Sequence, residues 1–280
     1  MNYHHAYHAG NHADVLKHLV VLAVLDALAR KPAPYFVLDT HAGQGRYALA
    51  SEKAGKTGEA RAGILRLVRH DFTRLSQDLR RYLDAVRPHL SQDHYPGSPQ
   101  LIADALRDSD RLACCELQPE PFGLLKGLLA GDHRVGIHHR DGYDAMKALL
   151  PPPEKRGLVL IDPPYEAQLA EFDLALAALR AALARWPQGI FALWYPIKQR
   201  RSLQPFLRRA ATLPAKSAFV VELNVRPDDS PLRMNGSGLL ILNPPWKLDQ
   251  SLATTMPALS AALDEGGGGW RLEWIKREQG

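Results

Sequence analysis

The chain has 280 residues, 46% of them hydrophobic, enough to bury one large α/β core or a core with a small appendage. It lacks the apolar run of about 18 residues that a membrane span needs, and its His- and Asn-rich start lacks the basic-then-apolar order of a leader, so a cytoplasmic protein is expected. A net charge of +5 and a pI near 9.2 are compatible with a polyanionic partner, while the two cysteines, Cys114 and Cys115, are adjacent and exclude both a disulfide-closed loop and metal-ligand spacing; they read as reduced residues in a buried strand.

From residue 35 onward, short apolar runs alternate with helical patterns, which predicts an α/β fold of parallel strands and crossover helices. The predicted strands are 35–39, 111–115, 135–139, 158–162, 190–195, 218–224 and 238–243, seven in one continuous, mostly parallel sheet. Residues 166–185 form an Ala/Leu helix bounded by Pro187, and 248–263 a helix broken near its middle by Pro257. Gly266 to Gly269 connect to a last short strand, 270–275. Residues 58–106 carry helical periodicity without a strand, so they are expected as a helical insertion into a main domain of 1–57 and 107–280. Arg61, Arg66, Arg69, Arg74, Arg80, Arg81 and Arg87 crowd that insertion, and Lys198, Arg200, Arg201, Arg208 and Arg209 form a second cluster. Each cluster fits a solvated helix face or a phosphate-binding one.

The segment around Asp39 joins an apolar strand to an expected helix through Gly43 and Gly45, at the sheet edge where open α/β folds bind nucleotides. The third glycine of the dinucleotide fingerprint is missing, which favours an adenosine binder over a nicotinamide or flavin enzyme. The next strand ends in Glu116, placed to accept from ribose hydroxyls, and the third in Asp141-Gly142, placed to meet an adenine amino group. After the fourth strand comes Asp162-Pro163-Pro164-Tyr165. Its prolines stiffen the turn, so that the Asp162 carboxylate and the Pro163 carbonyl form an acceptor pair for an amino group. Tyr165 offers a flat face to an extruded base, a stacking contact worth about 1–3 kcal/mol. Asn243-Pro244-Pro245-Trp246 is a rival turn, but it follows a late strand; Asp162 is expected to be catalytic, with Trp246 walling the base pocket.

Together with these motifs, the N-terminal Tyr3-His4-His5-Ala6-Tyr7-His8-Ala9-Gly10-Asn11-His12-Ala13-Asp14-Val15-Leu16-Lys17-His18, Thr40-His41-Ala42-Gly43, Tyr95-Pro96-Gly97-Ser98-Pro99 and Ala192-Leu193-Trp194-Tyr195-Pro196 resemble the RlmJ family of bacterial 23S ribosomal RNA adenine-N6 methyltransferases over nearly the whole chain. The resemblance implies a class I, Rossmann-like methyltransferase fold and transfer from S-adenosylmethionine to adenine N6 in protein-free or partly assembled 23S RNA; a monomer is expected. It implies that His18, His41, Ser98, Glu116, Asp141, Gly142 and Asp162 line the donor, beside the Gly43 turn, that Asp162 is the catalytic residue, that Tyr3 stands near the active site, and that Lys17 is a basic residue on the substrate side. His4, His8 and His12 recur every fourth residue, which invites a metal on one helix face, but methyl transfer needs none and no metal is expected. The alternatives are a guanine-N2 or DNA adenine-N6 methyltransferase with the same acceptor geometry, or a non-catalytic RNA-binding assembly factor.

Overall fold

A computed structural model describes residues 8–49, 58–165, 167–231 and 234–278. The first helix, α1 (His12–Ala29), starts at Asn11, whose side chain accepts from the backbone N–H groups of Ala13 and Asp14. Every residue from His12 to Leu25 is buried, as befits a helix with no polar face. One side of α1 lies on the central sheet and the other is covered by helices.

The strands are β1 (Phe36–Asp39), β2 (Arg46–Ala48), β3 (His94–Pro96), β4 (Arg111–Glu116), β5 (Val135–His139), β6 (Gly157–Ile161), β7 (Ile190–Ile197), β8 (Ala218–Asn224), β9 (Gly236–Leu242) and β10 (Gly269–Lys276). Eight of them form one sheet in the order β10-β8-β9-β7-β6-β1-β4-β5. The seven expected strands are all in it, and the eighth is β10, the last short strand, which pairs antiparallel with β8. The pairs β1–β4, β1–β6, β4–β5 and β6–β7 are parallel, whereas β9 runs antiparallel to both β7 and β8. The chain leaves β1 first toward β4 and later returns to β6, so the crevice at the carboxyl ends of β1 and β6 is the topological switch point.

Alternate residues of the central strands feed two cores. Val37, Cys114, Leu158 and Leu160 face α1; Leu38, Cys115, Val159 and Ile161 face the opposite layer. Cys114 and Cys115 are free and buried, pointing to opposite faces.

The α1 side is completed by α2 (Glu59–Ala62), α3 (Ile64–Arg69), α4 (Gln77–Leu90) and α5 (Ser98–Ala105). Then come α6 (Pro119–Leu129), α7 (Gly142–Leu149), α8 (Gln168–Arg185), α9 (Gln204–Ala210) and α10 (Leu248–Leu263). The stretch 58–106 does contain a strand: β3 pairs antiparallel with β2 in a two-stranded ribbon, too short at three residues each to leave a period in the sequence, and β2 stands where a helix was expected after Gly45. Its apolar residues Ile64, Leu67, Leu79, Tyr82, Leu83 and Val86 belong to the same core as α1. The expected break at Pro257 is absent, and α10 is continuous. Pro257 and Ala253, whose carbonyl loses its helical partner, both face solvent, so water replaces the missing hydrogen bond.

Candidate active site

The strand ends at the switch point carry acids that the backbone has already oriented. Asp39 is fully buried at the end of β1 and accepts from Ser98 Oγ at 2.6 Å, while its Oδ1 has no hydrogen-bond partner among the described residues. Burial pushes its carboxyl up to about 6, against the pull of the Ser98 hydroxyl. Glu116 accepts from the Gly43 N–H at 2.9 Å and the Gln118 N–H at 2.7 Å. Asp141 caps α7 by accepting from the Asp144 N–H at 2.9 Å. These carboxylates keep further lone pairs for a ligand. Gly142 is required by close approach, because a Cβ there would collide with the Thr40 carbonyl oxygen. His41 packs edge-on against Tyr143, and burial lowers its imidazole to about 4, so it is neutral near pH 7. His18 is bonded through Nδ1 to the Tyr95 hydroxyl at 2.8 Å, which meets the Tyr82 hydroxyl at 3.1 Å.

Asp162 follows β6 and faces α1. Lys17 Nζ donates to Asp162 Oδ2 at 2.5 Å and to Asp14 Oδ1 at 2.8 Å, and Asp14 Oδ2 accepts from the Gly10 N–H at 2.9 Å. Burial opposes the Lys17 charge, but the Asp14 and Asp162 carboxylates outweigh it and hold the ammonium above the ordinary lysine range. Lys17 is thus buried against Asp162 rather than displayed to a polyanion. With Oδ2 occupied, Asp162 Oδ1 is left open, and among the described residues nothing donates to the Pro163 carbonyl. The Tyr165 hydroxyl donates to the Trp194 carbonyl at 2.6 Å, and its half-buried ring lies 5.6 Å from Trp194 and 5.3 Å from Phe172.

Trp246 does not wall this pocket. Because β9 is antiparallel to β7 and Leu242 pairs with Phe191 near the start of β7, the turn after β9 lies at the opposite edge of the sheet. Trp246 is 84% exposed there, with Lys247 over its ring. Asn243 donates to the carbonyls of Pro187 and Gly189 and accepts from the Lys216 N–H, which makes it a structural cap. Tyr3 and His4 lie outside the described residues. His8 precedes the helix and pairs with Glu59 at 2.8 Å, so it shares no helix face with His12. Sequence reasoning missed Asp14, whose signal is its spacing of three residues from Lys17 on one helix, and it left Asp39 without a role.

A doubly wound sheet with an antiparallel strand set beside β7, acids at the ends of β1, β4 and β5, and Asp-Pro-Pro-Tyr across the switch point defines a class I methyltransferase. The family model described as "Ribosomal RNA large subunit methyltransferase D, RlmJ" matches residues 32–276, and the chain belongs to that family. It is 39% identical to Ribosomal RNA large subunit methyltransferase J of Haemophilus influenzae and 38% identical to that of Escherichia coli, covering 99% of this chain and 100% of each relative. Among solved structures, protein LPL1258 from Legionella pneumophila superposes with a TM-score of 0.84 at 33% identity, over 95% of this chain and 98% of that one.

Proposed function

We propose that this chain transfers a methyl group from S-adenosylmethionine to the N6 amino group of an adenine in large-subunit ribosomal RNA. The observation that carries the reading is the open acceptor pair, Asp162 Oδ1 and the Pro163 carbonyl, held beside the strand-end acids by Lys17. The residues present suit the donor: the partnerless Asp39 Oδ1 and its neighbour Ser98 suit an ammonium, Glu116 a ribose diol and Asp141 an adenine amino group, with Gly43, His18, His41 and Gly142 around them. When bound, S-adenosylmethionine supplies an electrophilic methyl group on a sulfonium.

An adenine amino nitrogen is a poor nucleophile because its lone pair is delocalised into the ring. Asp162 Oδ1 and the Pro163 carbonyl accept its two hydrogens and draw the nitrogen toward a tetrahedral geometry, with the lone pair aimed along the transfer path; this is catalysis by position and electrostatics. Tyr165 packs against the extruded base. The methylated nitrogen is acidic, and its proton passes to Asp162 or to water.

The exposed arginines of the insertion suit the RNA backbone. Arg81 and Arg87 are paired with Asp26 and Asp84, but Arg61, Arg66, Arg69, Arg74 and Arg80 make no ion pair with described residues. The helices α2 and α3 abut the start of α1, where the Ile64 N–H donates to the Gly10 carbonyl at 2.8 Å. Among the described residues no helix is long and apolar enough to cross a membrane, and the reading is of a cytoplasmic monomer acting on 23S RNA before assembly is complete. Incubation with labelled donor and protein-free large-subunit RNA tests it: label is expected in N6-methyladenosine, and label in N2-methylguanosine, or preferred transfer to duplex DNA, would replace the substrate.

A further inference from the structure

A buried donor without a partner stands next to Asp162. In the parallel pair β6–β7, Ile161 lies opposite Leu193. The next residue of each strand is therefore a lateral neighbour of the other, which places Trp194 beside Asp162 at roughly the 5 Å spacing of adjacent strands. Both side chains face the α1 layer, since Asp162 reaches Lys17 and Trp194 packs against the α1-side core. The sheet order sets Asp39, Glu116 and Asp141 on one side of Asp162 and Trp194 on the other, so Trp194 flanks the side away from the donor acids. Its ring is half-buried, yet Nε1 is shut off from solvent and finds no acceptor among the described residues. An indole N–H left so is uncommon, because its lost hydration is repaid by nothing in the protein.

We propose that Trp194 reads the target base: its indole N–H donates to adenine N1 or N7, next to the amino group held by Asp162 and Pro163. The acceptor pair alone suits any exocyclic amine. Adenine is the base whose amino group has a ring acceptor on each side, so a donor beside the pair is met whichever way the base enters. Guanine and cytosine each have one such acceptor, N3, so only one of their two orientations meets the donor; in the other, guanine sets its N1–H against the indole N–H and cytosine sets a C–H there. Because Nε1 is shut off from solvent in the free protein, this contact requires the half-buried ring to turn toward the cleft when the base enters. The inference rests on the adenine reading above.

The test uses a synthetic large-subunit RNA fragment carrying adenosine, 1-deazaadenosine or 7-deazaadenosine at the methylated position, with the wild type and Trp194→Phe. Methyl-transfer rates are measured at subsaturating RNA, and fragment binding by fluorescence anisotropy. The wild type is expected to lose about tenfold on one of the two analogues, the worth of one hydrogen bond. Trp194→Phe is expected to lose about tenfold on adenosine, to bind the fragment as before, and to treat that analogue and adenosine alike. Equal wild-type rates on all three fragments would overturn the assignment, even where the variant does not fold, and so would full analogue discrimination retained by Trp194→Phe. Wild-type transfer to guanosine in place of adenosine overturns the base reading itself, and this inference with it.

Discussion

Asp39 and Lys17 meet the same difficulty, a charge taken out of water, with opposite outcomes. Asp39 has no cation bonded to it, and its folded value of about 6 lies above the roughly 3.9 of an unfolded aspartate. Between pH about 4 and about 6 the unfolded chain releases this proton first, so stability present at low pH is lost as pH rises through that window, by up to about 3 kcal/mol. Asp39→Asn should therefore raise the thermal midpoint more at pH 7.5 than at pH 4.5, while calorimetry should show weakened donor binding; an equal gain at both pH values would contradict this account. Lys17 instead sits between two carboxylates. Lys17→Met removes the cation that faces the buried Asp14 carboxylate and should cost about 3–5 kcal/mol in urea denaturation. Adding Asp14→Asn should restore most of the stability but not the rate, because Asp162 stays unanchored. The sequence showed Lys17, Asp162 and the strand-end acids as separate points. It could not show that Lys17 bonds to the residue that follows β6, since that contact spans 145 positions.

At the scale of elements, period and composition located the strands of the sheet, because each buries alternate faces against two cores. Strand direction leaves no such trace. Asn243-Pro244-Pro245-Trp246 resembles Asp162-Pro163-Pro164-Tyr165 residue for residue, and only the antiparallel run of β9 separates them onto opposite edges. The β2–β3 ribbon and the continuity of α10 were hidden for local reasons, brevity in one case and a solvent-facing proline in the other. The turn after β5 was legible, and its glycine has a steric test. Gly142→Ala would push a methyl into the Thr40 carbonyl and part the ends of β1 and α7. Donor affinity should fall at least about tenfold with a stability loss of roughly 1–3 kcal/mol, by titration calorimetry and denaturation; unchanged affinity would mean that the two ends need not touch.

For the whole molecule, one edge of the sheet gathers the strand-end acids, Asp162 and the start of α1, and Arg61, Arg66 and Arg69, which make no ion pair among the described residues, lie on α2 and α3 packed against that start. If those arginines bind phosphates, Arg61→Gln, Arg66→Gln and Arg69→Gln together should weaken RNA binding and flatten its salt dependence by about 0.7–0.9 log units per lost contact. An unchanged salt slope would assign them to solvent alone. The central claim is that Asp162 and Pro163 present an adenine amino group for methylation, and the most direct measurement compares wild type and Asp162→Ala for N6-methyladenosine formed in protein-free large-subunit RNA, with donor affinity measured alongside. The account predicts N6-methyladenosine from the wild type, a loss of at least about a hundredfold to a thousandfold in Asp162→Ala, and donor binding largely kept. Retained methylation by Asp162→Ala would contradict it.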